Sequence, residues 1–438
     1  MQVDKTTLND LSIFHSEEEQ SVFHHLNFTT SAGGKDWFRY FLAHPYSDLN
    51  KIQETQQTLR LIIENLPRWP ATITNGTVMV VDKFYDTPVA DIPSYANAVN
   101  SFSYKIFNAG DYSLVKYSVN HFIDFLKGLN QVLQLFASQS VPGILKVMLD
   151  RISMLTNRPI ITAMMEWNKA TAVPINNILT FGRYLKHHFK AEALELVDIY
   201  SKLDAYYGMA LACTKHNFSF PTIEKFANPY IEAKNVHHLL VAQPIAYDVT
   251  LNQQTNFLFL TGANMAGKST FIKAVGIAVY LAHVGMGVPA ESCRLSLFDG
   301  LLSNIQVEDN ISRGESYFFN EVQRIRKTIE KINDGRNWLI LIDELFKGTN
   351  VQDAMKCSTT VIEGLRKMKN ALFILSTHLY EIGEGLKQYP NISFKYFETQ
   401  INEGQLVFSY QLKEGVSNDR LGYLILKREG VVKMLEEL

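Results

Sequence analysis

The sequence predicts an α/β domain preceded by a mainly α-helical region, and three observations lead to that prediction. The pattern changes near residue 230, where long stretches with helical spacing are followed by short apolar runs that alternate with helices. Residues 338–342 and 372–376 are continuous apolar runs, as buried parallel strands are. Residues 262–270 fit the motif G-x-x-x-x-G-K-[ST] and stand between another apolar run and an apolar helix.

The first region is expected to be helical because its apolar residues recur every three or four positions. Pro221 and Pro229 break that pattern and mark its end. We therefore expect one domain over residues 1–230 and a second over residues 231–438. The predicted helices of the first domain include residues 35–42, 49–66, 113–136, 144–154 and 191–213.

In the second domain, strands and helices alternate along the chain, which predicts a sheet with parallel strands. The predicted strands are residues 257–260, 338–342 and 372–376, and the predicted helices are residues 269–284, 318–333 and 352–369. Residues 394–410 are expected to form a hairpin that turns at Asn402, Glu403 and Gly404.

The composition is that of an ordinary globular protein, with 46% hydrophobic and 20% charged residues among 438. The N-terminus lacks the pattern of a secretory signal, and no apolar run is as long as a membrane span. We therefore expect a cytoplasmic protein without a membrane partner. Cys213, Cys293 and Cys357 lie far apart, which indicates neither a disulfide framework nor a zinc site.

The glycine-rich motif predicts a site for a nucleoside triphosphate. Its position between a strand and a helix places backbone amides and the positive end of the helix dipole at the phosphates. Lys268 is expected to reach the β- and γ-phosphates, and the Ser269 hydroxyl is expected to bind Mg²⁺. The predicted nucleotide-binding residues of this loop are Gly262, Ala263, Asn264, Met265, Ala266, Gly267, Lys268, Ser269 and Thr270.

Two further segments supply polar side chains at the ends of predicted strands. Asp343 follows one apolar run and is expected to hold Mg²⁺, as the Walker-B carboxylate does in such sites. Glu344 is then placed to act as the general base for the attacking water. His378 follows the next strand, at the sheet edge where ligands bind. We favour contact of His378 with the γ-phosphate or the water, and a structural role is the alternative.

The charge is unevenly distributed. The net charge of −2 does not favour a protein that coats nucleic acid through many phosphate contacts. Residues 102–190 nevertheless have more Lys and Arg than Asp and Glu, and residues 183–190 form a basic cluster with interleaved aromatic residues. A solvated helix face explains this cluster better than a DNA contact does.

Six segments of the second domain, in order, resemble motifs of the MutS mismatch-repair ATPases, a group similar to the ABC-type ATPases. Residues 261–270 resemble T-G-P-N-M-G-G-K-S-T, residues 284–290 resemble I-G-x-x-V-P-A, and residues 309–318 resemble D-D-L-x-x-G-x-S-T-F. Residues 343–350 resemble D-E-I-G-R-G-T-S, residues 377–382 resemble T-H-Y-x-E-L, and residues 412–422 resemble L-x-x-G-x-S…x-G. Near the N-terminus, residues 4–11 and 27–45 are similar to D-x-x-T-x-x-N-L and T-x-T-x-x-G…L-x-x-P of the MutS core domain.

The resemblance implies an ABC-type P-loop NTPase domain behind a helical core (lever) domain whose clamp is reduced or absent. It also implies a short helical tail at about residues 423–438. It implies ATP and Mg²⁺ as cofactors and a homodimer formed through the ATPase domains. Lys268, Glu344 and His378 would then act in hydrolysis, and Ser269 and Asp343 would bind the metal. The signature residues of one subunit would approach the γ-phosphate bound by the other, and they are Arg313, Gly314 and Ser316.

The sequence also departs from a full-length mismatch-repair MutS. The core motifs begin at residue 4, so the mismatch-reading and connector domains are expected to be missing. Tyr247 lies near the position expected for the aromatic residue that stacks on adenine, and it is the candidate for that role. The resemblance implies an ATP-switched clamp on mismatched or branched double-stranded DNA. The alternative is an ATP-switched protein-interaction scaffold without DNA or mismatch recognition.

Overall fold

The computed structural model describes residues 1–167, 173–305, 317–402, 405–417 and 431–436. The chain divides into two compact units. One contains Met1–His25, His44–Ile52 and the described residues from His216 onward, and the other contains Leu26–Ala43 and Gln53–Lys215. We call them the sheet unit and the helical unit.

The helical unit is built around one long central helix. The chain first forms β1 (Gln2–Val3), α1 (Lys5–Asp10) and α2 (Val22–Leu26), and the following helices are α3 (Ala32–Ala43), α4 (Leu49–Asn65), α5 (Asn75–Lys83), α6 (Ala98–Phe107), α7 (Ala109–Phe136), α8 (Gly143–Thr156), α9 (Pro159–Glu166), α10 (Ile175–His188) and α11 (Lys190–Lys215). α7 has 28 residues, and α5, α6, α8, α9 and α10 all pack against it. Phe122, Phe125 and Leu126 of α7 are fully buried, so this helix provides much of the core.

A buried carboxylate fixes the start of α3. Asp204 of α11 is 2% exposed and accepts hydrogen bonds from the backbone N–H groups of Thr30 and Ser31, at 3.0 and 2.7 Å. The Ser31 hydroxyl accepts from the Gly34 N–H at 3.1 Å and caps the helix. The polar residues of the motif at 27–45 therefore have a structural function in the helical unit.

The basic cluster at residues 183–190 also has structural partners. Lys186 donates to the carbonyl oxygens of Phe84 and Thr87, at 2.5 and 2.9 Å, and satisfies acceptors beyond the end of α5. Arg183 donates to the carbonyl oxygen of Ile92. These contacts favour the structural interpretation of the cluster over a DNA contact.

The sheet unit contains two sheets. Its remaining elements are β2 (Thr222–Glu224), β3 (Ile231–Val236), β4 (Tyr247–Leu251), β5 (Phe257–Thr261), α12 (Lys268–Val284), β6 (Ser292–Ser296), β7 (Gly300–Asn304), α13 (Tyr317–Ile332), β8 (Trp338–Asp343), α14 (Val351–Leu365), β9 (Ala371–Ser376), α15 (Glu381–Leu386), β10 (Ile392–Asn402), β11 (Gln405–Glu414) and α16 (Val431–Glu436). The larger sheet has the order β1-β7-β8-β9-β5-β10-β11, and the smaller has the order β2-β6-β3-β4.

The larger sheet has the arrangement that the apolar runs predict. Its neighbouring strands are parallel from β1 to β10, and β11 pairs antiparallel with β10. β5, β8 and β9 are adjacent, so their carboxyl ends meet at one edge of the sheet. The predicted hairpin and helices of this unit are also present, although α14 ends earlier than predicted and the turn at Glu403 and Gly404 lies outside the described residues.

The grouping of the N-terminal residues differs from the sequence expectation, which assigned residues 1–230 to the helical domain. Gln2 of β1 pairs in parallel with Gly300 of β7. Asp10 is 1% exposed and accepts from the Ile305 N–H at 2.9 Å and from the Ser303 hydroxyl at 2.5 Å. These residues therefore complete the edge of the sheet, and a two-residue strand is too short to produce a periodic signal.

Among the described residues, no helix is long and apolar enough to cross a membrane.

Candidate functional site

A loop rich in positive φ angles joins β5 to α12, and we call residues 262–267 the glycine loop. Gly262 has a φ of 142° and Gly267, the residue before α12, has a φ of 108°. These values favour glycine because they are strained for residues with a Cβ atom. A Cβ atom at Gly262 would also lie 3.2 Å from the Cβ and carbonyl oxygen of Phe397. Met265, with a φ of 69°, is the third residue of the loop in this region. The backbone at the two ends of the loop therefore depends on glycine.

Lys268 holds its ammonium group inside the glycine loop. Its side chain is buried, and Nζ donates to the carbonyl oxygens of Gly262 and Ala263 at 2.8 Å each. Burial lowers the pKa of the Lys268 ammonium, and the negative charges of Glu344 and Asp343 oppose that shift. The loop, the cation and two carboxylates are thus gathered in one place.

A hydroxyl group and a carboxylate meet where β8 ends beside α12. The Ser269 hydroxyl donates to one oxygen of Asp343, and the Ser376 hydroxyl donates to the other. Asp343 pairs with Ser376 in the register of β8 and β9. Hydroxyl and carboxylate oxygens are hard ligands of the kind that Mg²⁺ prefers, so the two residues fit that ion. The structure therefore brings together both residues for which the sequence predicts a metal role.

Glu344 opens a tight turn after β8, and we call residues 344–348 the acidic turn. Its φ of 62° lies in the left-handed region, and its N–H donates to the carbonyl oxygen of Ser376 at 2.9 Å. The carboxylate is 3.7 Å from Nδ1 of His378 and 2.9 Å from Nζ of Lys347.

The surroundings of Glu344 keep its side chain ionised. His378 is the main cause that lowers the pKa of the Glu344 carboxyl, to about 2, and the Lys347 ammonium lowers it further while burial acts in the opposite direction. The side chain of Glu344 is 16% exposed, whereas that of His378 is 52% exposed. A charged acceptor therefore lies at the edge of the cleft, with a histidine open to solvent beside it.

The glycine loop and the acidic turn line one cleft of about 710 Å³. Most of the residues predicted to form the site line it, namely Asn264, Met265, Gly267, Lys268, Ser269, Thr270, Asp343, Glu344 and Tyr247. Gly262 and Ala263 take part through their carbonyl oxygens, while Ala266 is buried behind the loop. The other residues of the lining were not among the predicted site residues, and they are His238, Val241, Gln243, Pro244, Ile245, Lys347 and Tyr410.

Tyr247 forms a wall of the cleft. Its side chain is 9% exposed, its hydroxyl donates to the carbonyl oxygen of Tyr410 at 3.1 Å, and its ring meets those of Phe271 and Phe397 edge-on. Burial raises the pKa of Tyr247 to about 12. Tyr410 is 41% exposed and lines the same cleft, so it offers more open ring surface than Tyr247 does.

Two residues near the cleft were not predicted from the sequence. They are Lys347, in the acidic turn, and Glu321, which accepts hydrogen bonds from that turn. Lys347 stands three residues after Glu344, and this acid–base spacing is a signal that could have identified it. Glu321 of α13 is 5% exposed and accepts from the N–H groups of Lys347 and Gly348, at 3.0 and 3.1 Å. No local pattern points to Glu321, because its partners lie 26 and 27 residues away.

The segment that precedes α13 includes the predicted signature. Arg313, Gly314 and Ser316 lie outside the described residues, as do Leu421 and Gly422 of the late motif. Ser417, in the described part of the motif at residues 412–422, contacts the end of β5. Its N–H donates to the Thr261 hydroxyl at 2.9 Å.

The part of the chain that contains this site is similar in sequence to known proteins. A family model described as MutS domain V matches residues 258–435. Over 235 residues, 53% of this chain, the sequence is 30% identical to the DNA mismatch repair protein MutS of Pseudothermotoga lettingae, of which 28% is covered. Over 236 residues, 52% of this chain, it is 30% identical to MutS protein homolog 4 of Homo sapiens, of which 25% is covered. The MutS protein of Lactococcus lactis is 27% identical over 248 residues, 55% of this chain and 29% of that protein. Each match thus spans less than a third of the relative's own length.

Proposed function

Because this chain is a protein of the MutS family, we propose that it binds and hydrolyses ATP at the cleft between the glycine loop and the acidic turn. The observation that carries this proposal is the meeting of three groups at the carboxyl ends of β5 and β8, the strands on either side of β9. Lys268 follows β5 and its loop, Asp343 ends β8, and Glu344 comes next. A cation for phosphates, a metal carboxylate and a base are the parts that phosphoryl transfer to water requires.

Each of these residues has a specific role in the proposal. The Lys268 ammonium exchanges its carbonyl partners for the β- and γ-phosphates, and the amides at the start of α12 bind the same oxygens. Ser269 and Asp343 hold Mg²⁺, which would neutralise the charge that develops on the phosphates. Glu344 accepts the proton of the attacking water, and His378 orients that water or the γ-phosphate.

The test of ATP hydrolysis uses the carboxylate assigned to the metal. We expect the purified protein to release phosphate from ATP only when Mg²⁺ is present. Asp343→Asn should lower kcat by about a hundredfold, since it removes one charge from the metal site. Asp353→Asn is the matched control, because Asp353 is an exposed carboxylate at the start of α14 and does not line the cleft. Equal activities of Asp343→Asn and the wild-type protein would contradict the proposed site.

The proposal includes a dimer in which ATP joins two sheet units. The signature residues Arg313, Gly314 and Ser316 would then complete the site of the second subunit. Light scattering on Glu344→Gln with saturating Mg-ATP tests this, since slow hydrolysis should trap the joined form. A mass of two chains is expected with ATP, and a mass of one chain under the same conditions would contradict the dimer.

DNA is the proposed binding partner that ATP binding and hydrolysis would control. The reason is that the relatives from Pseudothermotoga lettingae and Lactococcus lactis carry the name DNA mismatch repair protein MutS. We propose that the protein binds mismatched or branched double-stranded DNA. One observation favours the scaffold alternative: Lys186 and Arg183 of the basic cluster are engaged with backbone carbonyl oxygens.

A native gel distinguishes these two functions. Homoduplex, single-mismatch and four-way junction DNA are compared with and without ATP at several salt concentrations. Binding that weakens steeply with salt is expected for DNA, because phosphate contacts release counterions. No shift of any of the three DNA molecules at low salt would exclude the DNA function and favour the scaffold.

A further inference from the structure

The acidic turn contains two residues in an unfavourable backbone conformation. Glu344 and Phe346 have φ values of 62° and 59°. Residues with a Cβ atom adopt the left-handed region at a cost in free energy, so such a turn persists only where neighbouring groups hold it. The position of the Glu344 carboxylate depends on this turn, because the backbone at Glu344 sets the direction of its side chain.

One end of the turn is fixed by the sheet. The N–H of Glu344 donates to the carbonyl oxygen of Ser376 in β9 at 2.9 Å. The middle of the turn is fixed by packing, since the Phe346 side chain is 4% exposed and its ring lies 5.7 Å from that of Phe318. These contacts leave the far end, residues 347 and 348, to be held by another group.

Glu321 holds that far end. One of its carboxylate oxygens accepts from the Lys347 N–H at 3.0 Å, and the other accepts from the Gly348 N–H at 3.1 Å. The side chain is 5% exposed, so these charge-assisted bonds are shielded from water. The backbone they fix carries the Lys347 side chain, whose ammonium group lies 2.9 Å from the Glu344 carboxylate.

We propose that Glu321 is a positioning residue for ATP hydrolysis, which sets the acidic turn so that Glu344 and Lys347 keep their places at the cleft. The inference rests on the proposed ATPase function and adds a residue to it. Glu321 acts through the two backbone N–H groups and does not line the cleft. Its helix, α13, also contacts the N-terminal residues, because Arg324 lies 3.4 Å from Asp10.

The test compares two carboxylates of the same helix. Glu321→Gln replaces one acceptor oxygen with an NH₂ group that faces an N–H, so the turn loses at least one hydrogen bond. We expect kcat to fall about tenfold while the affinity for a fluorescent ATP analogue stays within about twofold. Glu330→Gln is the matched control, because Glu330 is 58% exposed and pairs with Arg326 in the same helix. Its kcat and affinity should equal those of the wild-type protein.

A second comparison separates positioning from simple destabilisation. Glu321→Asp keeps the carboxylate, so it should retain more of kcat than Glu321→Ala, even where both variants lower Tm equally. Glu321→Gln and Lys347→Ala should also combine less than additively in kcat, because both act through the same turn. These comparisons are made below the melting temperature of the least stable variant.

Three results would overturn the inference: an unchanged kcat in Glu321→Gln, a parallel loss of kcat and ATP affinity, or an equal kcat in Glu321→Asp and Glu321→Ala. The proposed function fails in a different way, namely when the wild-type protein lacks Mg²⁺-dependent hydrolysis or when Asp343→Asn leaves it unchanged. An active wild-type protein with an unaffected Glu321→Gln variant refutes the role of Glu321 alone.

Discussion

The glycine loop and the acidic turn lie at the same edge of the same sheet, yet their backbones are held in different ways. Two of the three positive φ angles in the glycine loop belong to Gly262 and Gly267, for which they carry little cost, and the third belongs to Met265. The acidic turn reaches them through Glu344 and Phe346, which need support from other elements. The backbone conformation of the glycine loop is therefore set mainly by the residues of the loop itself. The backbone conformation of the acidic turn is set by contacts with other helices and strands.

This difference separates what the sequence predicts from what it does not. The strand, loop and helix around Lys268 are predicted from adjacent residues, because hydrophobic pattern and motif fall within one short stretch. Asp343 and Glu344 are predicted as a pair at a strand end, but the geometry of their turn is not. Glu321 contributes to that turn from another helix, and no periodicity relates it to its partners.

Among changes that act on the backbone of the two loops, the largest expected effect comes from adding a Cβ atom to the glycine loop. Gly267→Ala would force alanine to adopt a φ of 108°, beyond the usual left-handed range. The strain costs about 3 kcal/mol at most, and it falls on the residue before α12, so ATP affinity should drop by up to about a hundredfold. Equilibrium binding of a fluorescent ATP analogue measures this.

The matched control for that substitution has the same kind of backbone. Gly335 lies in the loop between α13 and β8 with a φ of 76°, and a Cβ atom there would meet no other atom within 4 Å. Gly335→Ala should lower the stability slightly and leave ATP affinity unchanged. Equal losses of affinity in both variants would show that strain anywhere in the unit acts on the site, which contradicts a locally specified loop.

A smaller effect is expected when a residue of the acidic turn is replaced by glycine, the opposite of the substitution in the glycine loop. Phe346→Gly removes the backbone strain, worth about 1–2 kcal/mol, but it also removes a buried ring, worth about 3–5 kcal/mol. The free energy of unfolding should therefore fall by roughly 2 kcal/mol, and kcat should fall with it. Urea denaturation and steady-state hydrolysis measure the two effects. A more stable variant would mean that the turn depends on its backbone alone, as the glycine loop does.

The smallest expected effect is a change in the pH dependence of stability, and it concerns α12, the helix that follows the glycine loop. His283 near the end of α12 is fully buried, and its ring bonds with the carbonyl oxygen of Val279 and the N–H of Phe298. Burial lowers the pKa of His283 to about 4, so the folded state binds its proton less readily than the unfolded state does. The stabilising contribution is present at neutral pH and is lost as pH falls from about 6.5 towards 4.

We expect about 1 kcal/mol of the stability lost between pH 7 and pH 5.5 to come from His283. The measurement is the free energy of unfolding in urea at the two pH values, for the wild-type protein and for His283→Leu. The variant should lose about 1 kcal/mol less than the wild-type protein does. His187→Gln is the control, because it removes a histidine that is exposed in the fold. Identical pH dependence in all three proteins would contradict the role of burial.

Other features of the fold could not be predicted from the sequence, because they depend on contacts between residues that are far apart in the chain. β1 is two residues long and pairs with a strand that lies almost 300 residues later in the chain, so only the folded sheet identifies it. Five helices of the helical unit, α3, α4, α7, α8 and α11, match predicted segments, because each has its own apolar spacing, as α7 does. No bounds were predicted for α5, α6, α9 and α10. Tyr410 reaches the cleft from β11 and could not be assigned to it before the hairpin was placed beside β5.

The most direct test of the central claim, that the two loops form one hydrolytic site with separate tasks, measures ATP binding and turnover in the same samples. Lys268→Ala should lose ATP binding, because the glycine loop then lacks its cation. Glu344→Gln should bind ATP as the wild-type protein does and release almost no phosphate, because the base is lost while the loop is intact. Phosphate release by Glu344→Gln at the wild-type rate would contradict the account.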